Sequence, residues 1–111
     1  MSDTRLSGSE AVQAARDGAL LIDVRSPAGR ARNGEVQGAI IAAKDDVEDL
    51  LTRRTARAAL DQKVVLFCGS VAGTEAIVAR LSESGQANVF DVDGGFAALT
   101  GPGGLPVIPR P

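Results

Sequence analysis

The chain has 111 residues, of which 44% are hydrophobic and 23% are charged, and this composition fits one soluble globular domain. The formal net charge of −2 excludes the cationic excess of a nucleic-acid-binding protein, and no apolar run approaches the length of a membrane span. One cysteine cannot form an internal disulfide, and without histidine we expect no metal and no cofactor. Because no signal-peptide pattern is visible, the expected location is cytoplasmic.

Segments with helical periodicity alternate along the chain with short apolar runs. The first predicted helix spans 7–18, where a serine can cap its start and Gly18 can end it. Apolar runs typical of strands lie at 19–24, 39–43, 63–68 and 88–92, and further helices are predicted at 45–60, 74–85 and 94–99. The proline and glycines of 25–38 predict a loop, and those of 100–111 predict a tail without regular structure.

This alternation of strands and helices predicts an α/β fold. Runs that are apolar at nearly every position, such as 19–24, are typical of strands that are covered on both faces, which is the usual state of a parallel sheet. The sequence therefore predicts a mainly parallel sheet with helices on both of its faces.

The only cysteine lies at the end of the strand predicted at 63–68, and small residues follow it in the sequence CGSVAG. Parallel sheets place their functional sites just beyond the carboxyl ends of the strands, so this position favours a reactive thiol. Unpaired cysteines are also among the residues most often buried in protein cores. The residues alone therefore leave two alternatives for Cys68, a small core side chain and an activated sulfur.

The loop after Cys68 has the composition of an anion-binding turn. Backbone N–H groups at the start of a helix have no intrahelical partner, and a loop of small residues can direct several of them at one atom. Gly69 and Gly73 can adopt positive φ at low cost, and the hydroxyls of Ser70 and Thr74 add hydrogen-bond donors. This arrangement favours a thiolate, which is the nucleophilic form of cysteine.

Four stretches occur in the order LIDVRSPAGRARNGEVQGAI, VVLFCGSVAGTEA, VFDVDGGFAAL and GGLPV. Taken together in this order, they resemble the sequences of single-domain rhodanese-like sulfurtransferases. The resemblance covers about residues 7–107. It implies one rhodanese-like domain over 1–111, with an open α/β fold, a central parallel sheet of about five strands and helices on both faces.

The same resemblance implies a reaction. Cys68 would take a sulfane sulfur from a small donor such as thiosulfate and pass it, as a persulfide, to cyanide, a thiol or a protein acceptor. The predicted site has Cys68 as its nucleophile, and the predicted substrate-binding residues are those of the adjoining loop: Gly69, Ser70, Val71, Ala72, Gly73 and Thr74.

The loop also departs from the family pattern. Thiosulfate-using members usually carry arginine directly after the cysteine and at the last loop position, where this chain has Gly69 and Gly73, and Val71 replaces a usual glycine. The sequence therefore predicts weak thiosulfate activity or a different donor. The missing final arginine argues against a Cys-x5-Arg phosphatase, which uses it to clamp phosphoryl oxygens. An inactive binding or regulatory module and a persulfide carrier loaded by a partner protein remain as alternatives.

Charged residues near the predicted site have structural explanations as well. Asp23 and Arg25 close a predicted strand, and we expect them to form an ion pair or to anchor a loop. Arg30 and Arg32 could replace the missing loop cations, although a solvated surface is the expectation for both. Asp91 has no visible partner for acid–base chemistry.

Overall fold

The computed structural model of the protein describes residues 4–52, 62–69, 71–83, 88–101 and 103–108. The strands are β1 (Arg5–Leu6), β2 (Leu20–Asp23), β3 (Glu35–Val36), β4 (Ile40–Ile41), β5 (Val64–Phe67), β6 (Val89–Val92) and β7 (Val107–Ile108). The α-helices are α1 (Gly8–Arg16), α2 (Pro27–Asn33), α3 (Lys44–Thr52), α4 (Glu75–Glu83) and α5 (Gly95–Thr100), and a 3-10 turn at Val71–Gly73 precedes α4.

Among the described residues, five strands form one parallel sheet in the order β1-β6-β5-β2-β4. The central strand β5 pairs along its full length with β2, from Leu20↔Val64 to Asp23↔Phe67. Because the five strands run in one direction, their carboxyl ends meet at the same edge of the sheet, and the chain leaves β5 at this edge. The predicted α/β fold with a central parallel sheet is confirmed.

Helices cover both faces of this sheet, as the sequence predicted. On one face, buried side chains of α3 and α4 pack against those of the sheet. The buried residues of this first cluster are Ile22, Val24, Val47, Val64, Leu66, Ile77, Val78, Leu81 and Val89. On the other face, side chains of α1, α5 and β3 pack against those of the sheet. The buried residues of this second cluster are Ala11, Val12, Ala14, Leu21, Val36, Val65, Phe67, Val92 and Leu99. All four residues of β5 have no exposed surface, so this strand holds its carboxyl end in a fixed position between the two cores.

The start of α1 follows the expected capping chemistry. The Ser7 hydroxyl accepts a hydrogen bond from the Glu10 amide, and the Glu10 carboxylate accepts one from the Ser7 amide. The hydrogen bond from the Ser7 amide, followed by the interaction of the Ser7 side chain with the same carboxylate, lowers the pKa of Glu10 below its usual value. Helix α1 lies within the predicted span, and Gly18 follows its end with φ +103°.

The prediction of a loop over 25–38 is wrong, because this segment contains α2 and β3. The Ser26 hydroxyl accepts a hydrogen bond of 3.1 Å from the Gly29 amide, and Pro27 occupies the first position of the helix. Gly34, with φ +84°, ends it. The proline and glycine that indicated a loop are thus the residues that start and end a short helix.

The tail predicted to lack regular structure contains β7, which pairs antiparallel with β3. An ideal Cβ on Gly34 would lie 2.6 Å from Val107 Cγ1, so the close approach of the tail requires glycine at this position. Strand β1, which the sequence did not predict, adds to the sheet beside β6. These strands have only two residues each, too few for an alternation of apolar and polar side chains to be visible.

The strand predicted at 39–43 is shorter than expected. Ile40 and Ile41 form it at the edge of the sheet, and each is 45% exposed instead of covered on both faces. The helix predicted at 45–60 begins at Lys44 and continues to Thr52, and 53–60 lies outside the described residues. None of the described helices has the length and apolar character needed to cross a membrane.

Candidate active site

Cys68 lies directly beyond the carboxyl end of β5 and is half-buried. Its side chain packs against the α3 and α4 core, and the residue also lines a cavity of about 650 Å³. The other lining residues come from the β2–α2 region and from α5: Arg25, Ser26, Gly29, Arg32, Asn33, Gly69, Phe96, Ala97, Thr100 and Gly101. Cys68 therefore borders an open cavity, while its side chain also contacts one of the two cores.

The loop that follows Cys68 closes back on its sulfur at Gly73. An ideal Cβ on Gly73 would lie 2.7 Å from Cys68 Sγ and 2.9 Å from Cys68 Cβ, closer than real Cβ atoms approach. Gly69, by contrast, has no heavy atom within 4 Å of the corresponding position. Neither glycine has positive φ, so Gly73 is needed for the close approach of the loop to the sulfur and not for backbone conformation.

A second close approach fixes the backbone of the cysteine from the α5 side. The Phe96 amide donates a hydrogen bond of 2.8 Å to the Cys68 carbonyl. Gly95 has φ +59°, and an ideal Cβ there would lie 2.6 Å from the same carbonyl oxygen. The sequence Gly94-Gly95-Phe96 thus places the start of α5 against the base of the loop.

Thr74 anchors the far end of the loop to the sheet. Its hydroxyl donates a hydrogen bond of 3.2 Å to Asp91 Oδ2, and the residue is only 1% exposed. Arg5 donates to the same carboxylate from Nε at 3.1 Å, and this hydrogen bond raises the pKa of Arg5. The buried hydroxyl therefore holds the loop on β6, and the substrate contact that the sequence predicted for Thr74 stays a prediction.

Arg25 forms the buried ion pair that the sequence led us to expect. Its Nη2 lies 2.7 Å from Asp23 Oδ2 and 2.8 Å from the Gly34 carbonyl oxygen. The guanidinium carbon lies 4.1 Å from the centre of the Phe96 ring, and Nη1 has no hydrogen-bond partner among the described residues. Although Arg25 lines the cavity, Asp23 neutralises its charge.

The remaining loop positions lie as follows. Ala72 is exposed, while Ser70 and the side chain of Val71 lie outside the described residues. Cys68 and Gly69 both line the cavity, and Gly73 contacts the sulfur. The structure therefore brings the last residue of the predicted CGSVAG loop, Gly73, against the sulfur of its first residue, Cys68.

A family model for the rhodanese-like domain matches residues 7–101 of the chain. The chain belongs to the rhodanese-like domain family. The thiosulfate sulfurtransferase GlpE of Pseudomonas entomophila (strain L48) is 29% identical to it over 92 residues, which are 83% of this chain and 80% of that protein. The family and this distant relative support a sulfurtransferase.

Solved structures share the rhodanese-like fold at lower identity. One is a protein of unknown function from Rhodopseudomonas palustris CGA009, described as a possible tyrosine phosphatase. It superposes with a TM-score of 0.76 at 21% identity, over 93% of this chain and 83% of its own. A rhodanese-like domain protein from Staphylococcus aureus gives a TM-score of 0.71 at 20% identity over 94% and 97% of the two chains. At these identities the likeness extends to the fold alone.

Sequence reasoning missed one cation beside the thiol of this rhodanese-like domain. An ideal Cβ on Gly73 would lie 3.0 Å from Lys44 Nζ, so the first residue of α3 reaches the loop. The available signal was a lysine directly after the apolar run at 39–43. Using it required knowing that β4 lies in the same sheet, with its carboxyl end at the same edge as that of β5.

Proposed function

We propose that this rhodanese-like protein is a sulfurtransferase in which Cys68 carries the sulfur as a persulfide. The observation that supports this most is the position of Cys68: the residue follows the central strand and borders an open cavity, and Gly73 closes on its sulfur. A core cysteine needs no such opening, whereas a nucleophile needs access for a donor and an acceptor.

The first half of the reaction loads the cysteine. The Cys68 thiolate attacks the outer sulfur of thiosulfate, a new S–S bond forms, and the S–S bond of thiosulfate breaks. Sulfite leaves with the electron pair of the broken bond, so the three negative charges of the reactants are kept as persulfide and sulfite. No oxidant, metal or cofactor is needed for this exchange.

The second half passes the sulfur on. The anionic acceptor, a thiolate or cyanide, attacks the outer sulfur of the persulfide, and the Cys68 thiolate leaves. The products are an acceptor persulfide or thiocyanate and the original enzyme. The cavity of about 650 Å³ has room for the reactive end of an acceptor larger than cyanide, such as a thiol on a peptide or a protein.

The loop residues support these steps by surrounding the terminal sulfur. We infer that backbone N–H groups of 69–73 stabilise the negative charge of the persulfide, since no bulky side chain of Gly69, Ala72 or Gly73 separates that backbone from Cys68. The loop contains no arginine, and Asp23 neutralises Arg25. Thiosulfate, a dianion, is therefore expected to load Cys68 slowly unless a cation outside the loop takes part.

Mass spectrometry of the intact protein tests the proposal. After incubation with thiosulfate, or separately with mercaptopyruvate, a mass increase of about 32 Da for one sulfur atom is expected. Because Cys68 is the only cysteine, the adduct has one possible thiol, and Cys68→Ala is the matched control. Addition of cyanide should remove the added mass and release thiocyanate.

The outcomes separate the proposal from its rivals. A folded protein that takes sulfur from neither donor contradicts the sulfurtransferase, and an inactive binding module then explains the fold. An adduct that forms only when a partner protein bearing a persulfide is supplied indicates a carrier. Circular dichroism of the same samples establishes that the fold is intact.

A further inference from the structure

The ammonium of Lys44 lies next to the thiol in space. One point, the ideal Cβ position of Gly73, lies 2.7 Å from Cys68 Sγ and 3.0 Å from Lys44 Nζ. The two atoms are therefore no farther apart than the sum of these distances, which is within the range where an opposite charge favours an ionised group. Lys44 belongs to α3, which covers the opposite face of the sheet from α5.

The arginines near the site are less well placed than Lys44 to stabilise a negative charge on the Cys68 sulfur. Asp23 neutralises Arg25, and Arg30 donates from Nη1 to the Arg25 carbonyl at 2.7 Å. Arg32 borders the cavity and is exposed, as Lys44 is, but only Lys44 has its cationic nitrogen placed beside Gly73. Among the side chains that the structure describes, none forms an ion pair with Lys44.

The location of Lys44 also conflicts with a local rule. It is the first residue of α3, where the unpaired N–H groups of the helix already carry partial positive charge and a cation is unfavourable. Asp45 and Asp46 occupy the same turn and suit that end of the helix. A residue that breaks a local preference beside a candidate site points to a functional role.

We propose, on the basis of the sulfurtransferase function above, that Lys44 replaces the missing loop arginines: its ammonium stabilises the Cys68 thiolate and binds the negatively charged end of the sulfur donor. The preferred donors are therefore small anions, and the dianionic thiosulfate depends on Lys44 more than a singly charged donor does. Lys44 is a donor-binding residue supplied from outside the cysteine loop.

The first test measures the local charge without sulfur chemistry. Cys68 is alkylated at neutral pH by iodoacetate, which is an anion, and by iodoacetamide, which is neutral. In Lys44→Gln the ratio of the iodoacetate rate to the iodoacetamide rate should fall about threefold to tenfold, because the anionic reagent loses an attractive charge near the sulfur. Lys44→Arg should keep the ratio within about twofold of the original.

The chain offers a matched control in its other lysine, Lys63. It precedes β5 as Cys68 follows it, so roughly 16 Å of strand separates the two, and its Nζ lies 5.3 Å from the centre of the Phe90 ring. Lys63→Gln removes the same charge beyond a Debye length of ~10 Å, and the alkylation ratio should stay unchanged. An equal fall in both variants would mean that net charge alone sets the ratio and would overturn the proposal.

The second test uses the donor. The rate at which thiosulfate loads Cys68 should fall about tenfold in Lys44→Gln, with the larger part of the change in KM, and Lys44→Arg should recover most of it. If thiosulfate loads the original protein and Lys44→Gln equally fast, the role of Lys44 is refuted and the sulfurtransferase stands. If neither is loaded but the alkylation ratio still depends on Lys44, the proposed reaction fails and the thiol–ammonium pairing stands.

Discussion

Replacing Gly73 with alanine tests whether the cysteine loop must touch the sulfur. The added methyl group would lie 2.7 Å from Cys68 Sγ, whereas ordinary contacts of a Cβ atom are 3.4–4 Å long. The sulfur must therefore retreat by about 1 Å, and a displacement of this size at a reacting atom lowers kcat/KM by roughly 10²-fold. The same methyl would lie 3.0 Å from Lys44 Nζ, so the ammonium is displaced as well.

The stability of Gly73→Ala should change much less than its activity. Crowding of a packed site costs about 1–3 kcal/mol. Since Gly73 has no positive φ, alanine fits the backbone and recovers about 0.4–1 kcal/mol by restricting the unfolded chain. The net loss is about 1–2 kcal/mol, which lowers the melting temperature by roughly 5–10 °C in a domain of this size and leaves the protein folded at 25 °C.

Gly69→Ala is the matched control, because no heavy atom lies within 4 Å of the methyl it would add. Sulfur transfer from thiosulfate to cyanide, followed by the colour of the ferric thiocyanate complex, gives kcat/KM for both variants, and thermal denaturation gives their stability. Gly69→Ala keeps the backbone N–H and adds its methyl group to open space, so it should lose far less activity than Gly73→Ala. Full activity in Gly73→Ala, at an unchanged melting temperature, would refute the close approach of the loop to the sulfur.

Three further predictions concern the fold around the site. Asp23→Asn leaves the buried charge of Arg25 without its counter-ion and should cost about 3–5 kcal/mol of unfolding free energy, measured by urea denaturation; a loss below about 1 kcal/mol would contradict the ion pair. Gly95→Ala combines φ +59° with a methyl 2.6 Å from the Cys68 carbonyl oxygen, so it should lower both the melting temperature and the yield of folded protein. The lowered pKa of Glu10 stabilises the fold at pH values above the usual carboxyl pKa of 4.5, and this stabilisation is lost as the pH falls through the lowered pKa. Glu10→Gln keeps the cap, but its unfolding free energy should depend less on pH over that acidic range. An unchanged dependence of stability on pH would count against the capping box.

The central part of the fold could be predicted because its signals are local. Strand β5 is apolar at every position, and it ends where small residues begin, so the sequence located both the strand and Cys68 at its end. The start of α1 was also located, since a serine was expected to cap the helix and Ser7 occupies that position. Each of these features depends on residues within a few positions of one another.

What the sequence did not reveal depends on contacts between distant residues. Arg5 and Asp91 are 86 positions apart, and their pairing requires β1 to lie beside β6. Lys44 approaches Gly73 only because β4 and β5 both end at the same edge of one sheet. Strand order and the pairing of two-residue strands follow from packing of the whole chain, which a single sequence does not display.

Arg25 takes part in both the cavity and the core, and this restricts how the cavity of this domain can change during evolution. Its guanidinium is part of the cavity wall and, at the same time, half of an ion pair in the core. A substitution of Arg25 would alter the cavity wall and the stability of the fold together, so selection for a new substrate would seldom retain such a substitution. Adaptive changes are expected instead at Arg32 and Ala97, whose side chains face the cavity and solvent and can vary without unfolding the protein.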